Sequence, residues 1–336
     1  MPDTQPQSNA LCLTIGDPTG IGPEITAKFL RDIANRSDRP ELLIHGDMDN
    51  LAQTAEKLQI ALPEGNGFQY ENLQTTDQGI ALKAPGQIAY ESLEAAVSKI
   101  HQGQAAALVT GPISKEHLQQ ANIPFSGHTE ILQQLARQYY HQPYQSDMLF
   151  LYQQFRMLLL TRHVALKEVS TTLSIKGVTR SLSNLAHFFR EHCKISSPRL
   201  CILGVNPHAG ELNGDEEERI LKPALTLISD KYHFGIEPPV AADAAFRHFD
   251  INRLPYDAYV AAYHDQGLIP FKMVAGLSAV NVTIGLPFLR TSVSHGTAPD
   301  IVGQGIADPC SLMEAYQTAV KLALPAEERQ AVSAHA

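Results

Sequence analysis

Along most of the chain short apolar runs alternate with windows of helical spacing, the pattern of a parallel sheet assembled from strand–helix units. The first run, Leu11 to Ile15, leads into Gly16-Asp-Pro-Thr-Gly-Ile-Gly-Pro-Glu24, and helical spacing follows from Ile25 to Leu30. Glu41 to His45 with a helix from about Asp49, and Ala106 to Thr110 with Gly111-Pro-Ile-Ser114 opening another helix, repeat the unit. Between Asp147 and Arg162 the pattern changes, because two β-rich runs flank the polar pair Gln153-Gln154 and predict an antiparallel hairpin. The alternation resumes through Arg199 to Gly204, Asp257 to Tyr263 and Val280 to Ile284. A last helix is expected over Ser311 to Leu324. Glu237-Pro-Pro reads as a connector, and no composition shift marks a boundary.

The 336 residues suggest two domains on a soft size prior. Without a clean boundary, two domains would share the chain through more than one crossing. Net charge is -9 and no stretch clusters Lys or Arg, so the electrostatic footprint of a nucleic-acid or anionic-membrane binder is missing. The four cysteines, Cys12, Cys193, Cys201 and Cys310, have neither zinc-knuckle spacing nor a short-loop framework and are expected to be reduced. Met1 to Ala10 is polar and no run is long enough to cross a bilayer, which points to a cytoplasmic protein.

Three of the 14 histidines stand where a strand-like run stops: His163 after Met157 to Leu160, His208 after Leu200 to Val205, and His264 after Ala258 to Tyr263. Ligands of open α/β sheets bind outside the carboxyl ends of strands, so these imidazoles are candidates for one shared metal ion. Most of the others, such as His101, His141, His187, His192 and His233, lie in polar windows that read as solvent-exposed. Asp265 and Asp243 are placed to orient imidazoles or a metal-bound water, with capping as the plain alternative. A three-imidazole set suits zinc and leaves a position open for substrate, without excluding other divalent ions.

Two regions suit a phosphate or carboxylate. Gly127-His128-Thr129-Glu130 precedes the helical window from Ile131 to Tyr140, which brings backbone N–H groups and the Thr129 hydroxyl to a helix N-terminus; a plain cap by Thr129 competes with this reading. Lys272, Asn281 and Arg290 add cations and an amide further along. The glycine segment from Gly16 to Glu24 is neither a Walker A sequence nor a Rossmann fingerprint. More informative is the span from Ser294 to Pro309, whose glycines and prolines, with His295 and Asp300, describe a tight loop that a nucleotide can approach closely.

These segments together resemble the 4-hydroxythreonine-4-phosphate dehydrogenase family of pyridoxal phosphate biosynthesis. The resemblance rests on Gly16 to Glu24, Gly111-Pro-Ile-Ser-Lys115, Gly127-His-Thr-Glu130, Asn206-Pro-His-Ala-Gly-Glu211, Tyr263-His-Asp-Gln-Gly267 and Gly285-Leu-Pro-Phe-Leu-Arg-Thr-Ser292, nearly end to end. The loop from His295 to Pro309 is also similar to the adenosine-binding loop of isopropylmalate and isocitrate dehydrogenases. The implied fold is two α/β/α domains with a mixed, mostly parallel sheet, isopropylmalate dehydrogenase-like. A first domain would take 1–128 plus 282–330 and a second 129–281.

The resemblance implies metal ligands at His163, His208 and His264, substrate binding at His128, Thr129, Lys272, Asn281 and Arg290, and cofactor binding at His295, Gly296, Asp300 and Gly303. Catalytic support falls on Asp265, Lys272 and Asp243, and the hydroxyl proton would pass to Asp265, Lys272 or a bound water. It further implies NAD or NADP, one divalent metal per site (zinc first, magnesium or cobalt as substitutes), and a homodimer whose metal ligands come from both subunits. The expected reaction is oxidation of 4-phosphooxy-L-threonine to 2-amino-3-oxo-4-phosphooxybutanoate, which decarboxylates to 3-amino-2-oxopropyl phosphate.

This chain departs from the family pattern at Ser294, where Asp is usual, at Ala244, where Thr is usual, at Glu237, where Gly is usual, and in a shortened segment between Glu211 and Glu216. Three alternatives remain: a related dehydrogenase of threonate or erythronate 4-phosphate, an acyl-phosphate transferase, which has no need of three histidines, and a non-catalytic metal or sugar-phosphate binding protein.

Overall fold

The computed structural model describes residues 8–36, 39–65, 67–74, 83–211, 214–232 and 234–324; His233 and part of the shortened segment, 212–213, lie outside them. The chain opens with β1 (Leu11–Thr14), α1 (Gly22–Ile33), β2 (Leu42–Gly46), α2 (Met48–Lys57), β3 (Phe68–Asn72), α3 (Pro85–His101), β4 (Ala107–Thr110), α4 (Lys115–Gln120) and α5 (His128–Tyr140). A second stretch contains β5 (Asp147–Tyr152), β6 (Phe155–Leu159), α6 (Val169–Thr172), α7 (Ile175–Phe188), β7 (Arg199–Ile202), α8 (Lys222–Tyr232), β8 (Gly235–Ile236), α9 (Ala242–Ala245), β9 (Ala258–Ala261), α10 (His264–Ala275) and β10 (Val280–Ile284). The chain then returns for β11 (Leu289–Ser292) and α11 (Cys310–Ala323). Among the described residues no helix is long and apolar enough to cross a membrane.

Contacts divide the chain into two compact units, Met1–Gln145 with Leu286–Ala336, and Ser146–Gly285. In the first the strands run β3-β2-β1-β4-β11, all parallel. In the second the order is β10-β5-β6-β9-β7-β8. There β5 pairs antiparallel with β10 and β6, and the remaining pairs are parallel. The hairpin turns at Gln153-Gln154, with Gln153 in the left-handed region at φ 52°.

The first crossing comes later than the 128/129 break suggested by sequence, and the second falls at Gly285/Leu286 instead of 281/282. Helix α5 explains the first difference. Its Ile131, Leu132, Leu135 and Ala136 are buried in one cluster with Leu93, Val97 and Leu108 of the first unit. Full burial of an aliphatic side chain is worth about 1.5–3 kcal/mol, so this face holds α5 with the first unit.

The second unit is centred on Phe155, whose ring lies 4.7 Å from Phe249, 4.9 Å from Phe271 and 5.3 Å from Tyr259. Phe271 anchors α10 against the sheet. The helix can lie this close because residue 267 is Gly: a Cβ there would meet Ala261 and Leu159 side-chain atoms at 2.9 Å. This seating sets His264 at the start of α10, just beyond the end of β9.

Candidate active site

The first unit buries a cation beside the N-terminus of α5. Arg290 lies in the middle of β11, 2% exposed, and its Nε and one terminal nitrogen donate to the Thr110 hydroxyl at 3.1 and 2.7 Å. Burial lowers its pKa to about 9, which leaves it charged near neutrality in surroundings where an anion is attracted more strongly than in water. His128 is the first residue of α5, and its ring is hydrogen-bonded to the Gly111 carbonyl. Burial, reinforced by the Arg290 charge, pulls the His128 pKa well below the usual histidine value against that bond. Its Nε2 is buried with no protein partner. A polar atom sealed in this way marks a place for a ligand atom.

Thr129 is not the cap of α5. The N-cap is Gly127 in extended backbone, with no side-chain cap, so Thr129 stands in the first turn among N–H groups that lack intrahelical partners. The plain-cap alternative is thereby removed. Lys272 and Asn281 belong to the second unit: Lys272 is exposed in the last turn of α10, and Asn281 lies on β10 opposite Phe150 with its side-chain oxygen buried and without a protein partner.

Each of the three strand-end histidines is carried by the second unit. The His163 and His264 rings lie 5.6 Å apart, centroid to centroid. Two imidazoles sharing one ion at about 2.1 Å with tetrahedral angles would have centroids roughly 5 Å apart, so the pair fits a common metal. Nδ1 of His264 contacts Asp265 at 2.7 Å; with the carboxylate accepting, Nε2 keeps the lone pair a metal needs. His208 is exposed on a turn where it and Ala209 both take left-handed backbone, φ 56° and 54°. Among the described residues no group of three His, Cys, Asp or Glu side chains could hold a metal, so one chain does not gather the trio.

The His208 turn is nevertheless firmly built. The carboxylate of Glu217, 1% exposed, accepts from the Asn206 amide N–H at 2.8 Å and from its side-chain nitrogen at 2.9 Å. The turn folds back over Gly204, where a Cβ would meet the Ala209 Cα at 2.7 Å. The short helix α9, with exposed Asp243, packs beside it.

The glycine-rich span from Ser294 is fastened to the first unit by Lys28. Its ammonium donates to Glu24 at 2.8 Å and to the carbonyls of Gly305 and Ala307 at 2.9 and 2.7 Å, while Glu24 also accepts the Ala307 N–H. A cavity of about 210 Å³ opens between this span and the first strand–helix turn, lined by Thr19, Gly20, Asn50, Lys57, Gly303 and Gly305 among others. Of the expected cofactor residues only Gly303 lines it. His295 turns to its neighbour's Gly296 carbonyl at 2.9 Å, and Asp300 is exposed.

Two features had no place in the sequence reading. Lys28 and Glu24 lie one helical turn apart, an ordinary ion pair until the far loop is brought to them. Asp17, fully buried, contacts Nδ1 of His117 at 2.6 Å and accepts from the Thr19 hydroxyl at 2.7 Å, orienting an imidazole 100 residues away. The glycine motif around Asp17 was the signal that could have found it.

Comparison with known proteins agrees with this architecture. The family model described as pyridoxal phosphate biosynthetic protein PdxA matches residues 29–319. A 4-hydroxythreonine-4-phosphate dehydrogenase of Sulfurihydrogenibium sp. is 35% identical over 331 residues, covering 93% of this chain and 98% of that one. An Oceanobacillus iheyensis protein provisionally named D-threonate 4-phosphate dehydrogenase is 34% identical, covering 93% and 97%. The crystal structure of 4-hydroxythreonine-4-phosphate dehydrogenase from Klebsiella pneumoniae matches with a TM-score of 0.79 at 30% identity, over 94% of this chain and all of that one.

Proposed function

The chain belongs to the family of the pyridoxal phosphate biosynthetic protein PdxA, and on that premise we propose that it oxidises 4-phosphooxy-L-threonine with NAD or NADP. The product, 2-amino-3-oxo-4-phosphooxybutanoate, is a β-keto acid and loses carbon dioxide to give 3-amino-2-oxopropyl phosphate. The observation that carries this reading is the buried Arg290 charge acting on His128, whose buried Nε2 lacks a protein partner, at the N-terminus of α5, an arrangement that suits a phosphate monoester.

In this reading Arg290 and the first-turn N–H groups of α5 bind the phosphate, and Thr129 adds its hydroxyl. Lys272 and Asn281 contact the rest of the substrate. His163, His208 and His264 would hold a divalent ion, zinc first and magnesium or cobalt as substitutes, which would supply Lewis acidity toward the substrate alcohol. Asp265 holds His264 by Nδ1 and fixes its ring, with Asp243 beside the His208 turn as the second supporting acid. Asp265, Lys272 and a bound water are the candidate acceptors of the hydroxyl proton, and a bound nicotinamide would supply the hydride acceptor for the carbinol carbon. The span carrying His295, Gly296, Asp300 and Gly303 is assigned to the cofactor, and the cavity beside Gly303 supports that.

The active form in this reading is a homodimer. Exposed apolar side chains support it: Ile269 and Met273, one turn apart on α10, and Leu277 just past its end are 60%, 82% and 60% exposed. A second copy would also complete a ligand set that one chain leaves at two. None of the four cysteines is in a disulfide among the described residues, which supports a cytoplasmic setting.

The direct test is NADH or NADPH absorbance with 4-phosphooxy-L-threonine, set against threonate 4-phosphate, with and without chelator. We expect turnover of the amino acid that chelation abolishes. Turnover of threonate 4-phosphate alone would move the chain to the related acid, and activity untouched by thorough metal removal would overturn the mechanism.

A further inference from the structure

We infer that Gln266 is a positioning residue for the metal ligands, its side-chain amide tying the segment that carries His264 to the segment that carries His208. This rests on the metal reading of His163, His208 and His264 proposed above. Three peptide groups are involved, each a few residues before one histidine. Thr161, two residues before His163, donates its amide N–H and its hydroxyl to the Ala262 carbonyl at 3.1 and 2.7 Å. Ala262, two residues before His264, donates its N–H to Oε1 of Gln266 at 2.7 Å. Nε2 of Gln266 then donates to the carbonyl of Gly204, four residues before His208, at 2.6 Å.

The chain of bonds therefore runs from Thr161 through Ala262 and Gln266 to Gly204. Gly204 is held from its other side as well, its N–H donating to the Val240 carbonyl at 2.8 Å. Strand pairing alone does not supply this link. β6 and β9 pair through Leu159↔Ala261, and β7 and β9 through Ile202↔Val260, after which the three backbones leave the sheet toward their histidines. Gln266 bridges two of them beyond the point where the regular ladder stops.

The residue type is demanded by the chemistry. A side-chain amide accepts through one atom and donates through the other without depending on a protonation state, and Gln is long enough to do so from the first turn of α10. Glu would keep the bond from Ala262 but set a carboxylate oxygen against the Gly204 carbonyl, and Leu would keep the bulk and lose both bonds. Groups that orient metal ligands from outside the coordination sphere typically change affinity by about 10- to 100-fold when altered.

The test uses the full-length protein stripped of metal and titrated with cobalt(II), whose visible bands report ligand geometry independently of turnover. Gln266→Glu and Gln266→Leu are compared with Asn184→Ala, which removes the 2.7 Å bond to Asp147 elsewhere in the same unit. We expect both Gln266 variants to weaken cobalt binding about 10- to 100-fold and to shift its bands, with Asn184→Ala lowering Tm at unchanged cobalt affinity. Wild-type affinity and spectrum in Gln266→Glu, the variant that keeps one bond and most of the shape, would overturn the inference whatever happens to Tm. Wild-type protein that binds no cobalt would instead remove the metal reading on which it stands.

Discussion

Arg290 and His208 occupy opposite extremes of construction. Arg290 is 2% exposed inside a parallel sheet, held by Thr110, with its charge kept out of water. His208 is exposed at the tip of a left-handed turn, and its ring joins no three-residue cluster within one chain. The first unit thus presents a buried cation held within its own fold, whereas the second presents histidines whose backbone is firmly held but whose ligand set is open. In the proposed reading a buried charge of this kind is pre-organised for one small group, the phosphate, before anything binds. An open histidine set depends on what is added to it, an ion and, in the proposed dimer, a second copy.

That contrast predicts unequal responses to mutation. His208→Ala should leave a folded dimer, by sedimentation and far-UV circular dichroism, because the turn is held by Asn206 and Glu217 and not by the imidazole. It should lose bound metal by atomic absorption, and kcat/KM should fall about 10²- to 10³-fold, since polarisation by a metal is worth several kcal/mol. Full metal content in this variant would mean that the wrong histidine had been assigned.

Arg290→Lys should do something different. Lysine keeps the positive charge but loses the planar fork, and hydrogen bonds to charged groups are worth about 1.5–3 kcal/mol. The KM for the phosphorylated substrate should rise roughly 10- to 100-fold, with kcat, cofactor KM and metal content little changed. An unaltered substrate KM would remove the phosphate from this pocket.

The two regions also differed in how far they could be read from sequence. Strand-end histidines are legible because a continuous apolar run and its last residue are both local, and so is the Gln153-Gln154 turn between two β-rich runs. The tuning of His128 was not legible, because it comes from Arg290 and from the Gly111 carbonyl, brought together only by the pairing of β4 with β11. The same holds for Asp17 with His117, Lys28 with the Gly305–Ala307 carbonyls, and Gln266 with Gly204. In each the residue types are ordinary and the information lies in a contact between distant segments. The place of α5 was misjudged for a related reason: its anion-binding N-terminus was visible, but the core against which its apolar face packs was not.

The smallest predicted effect concerns acid stability. His128 and His45 in the first unit, and His187 in the second, have pKa values lowered chiefly by burial from the ordinary 6.5. A histidine kept neutral by the fold binds fewer protons than the same residue unfolded. Stability is therefore complete above pH 6.5 and declines as pH falls below it. Asp47 and Glu314, whose carboxyl pKa values burial raises, act in the opposite sense as pH falls through those raised values. Between about pH 6.5 and 5 the histidines set the sign, and the urea midpoint should fall steadily across that window. Two of the three histidines lie in the first unit. Amide exchange, corrected for its intrinsic pH dependence, should therefore show β1, β2 and β4 losing protection before β6, β7 and β9. Equal loss in both units would mean that buried imidazoles do not distinguish them, and a midpoint that rises toward pH 5 would reverse the assigned direction of the shifts.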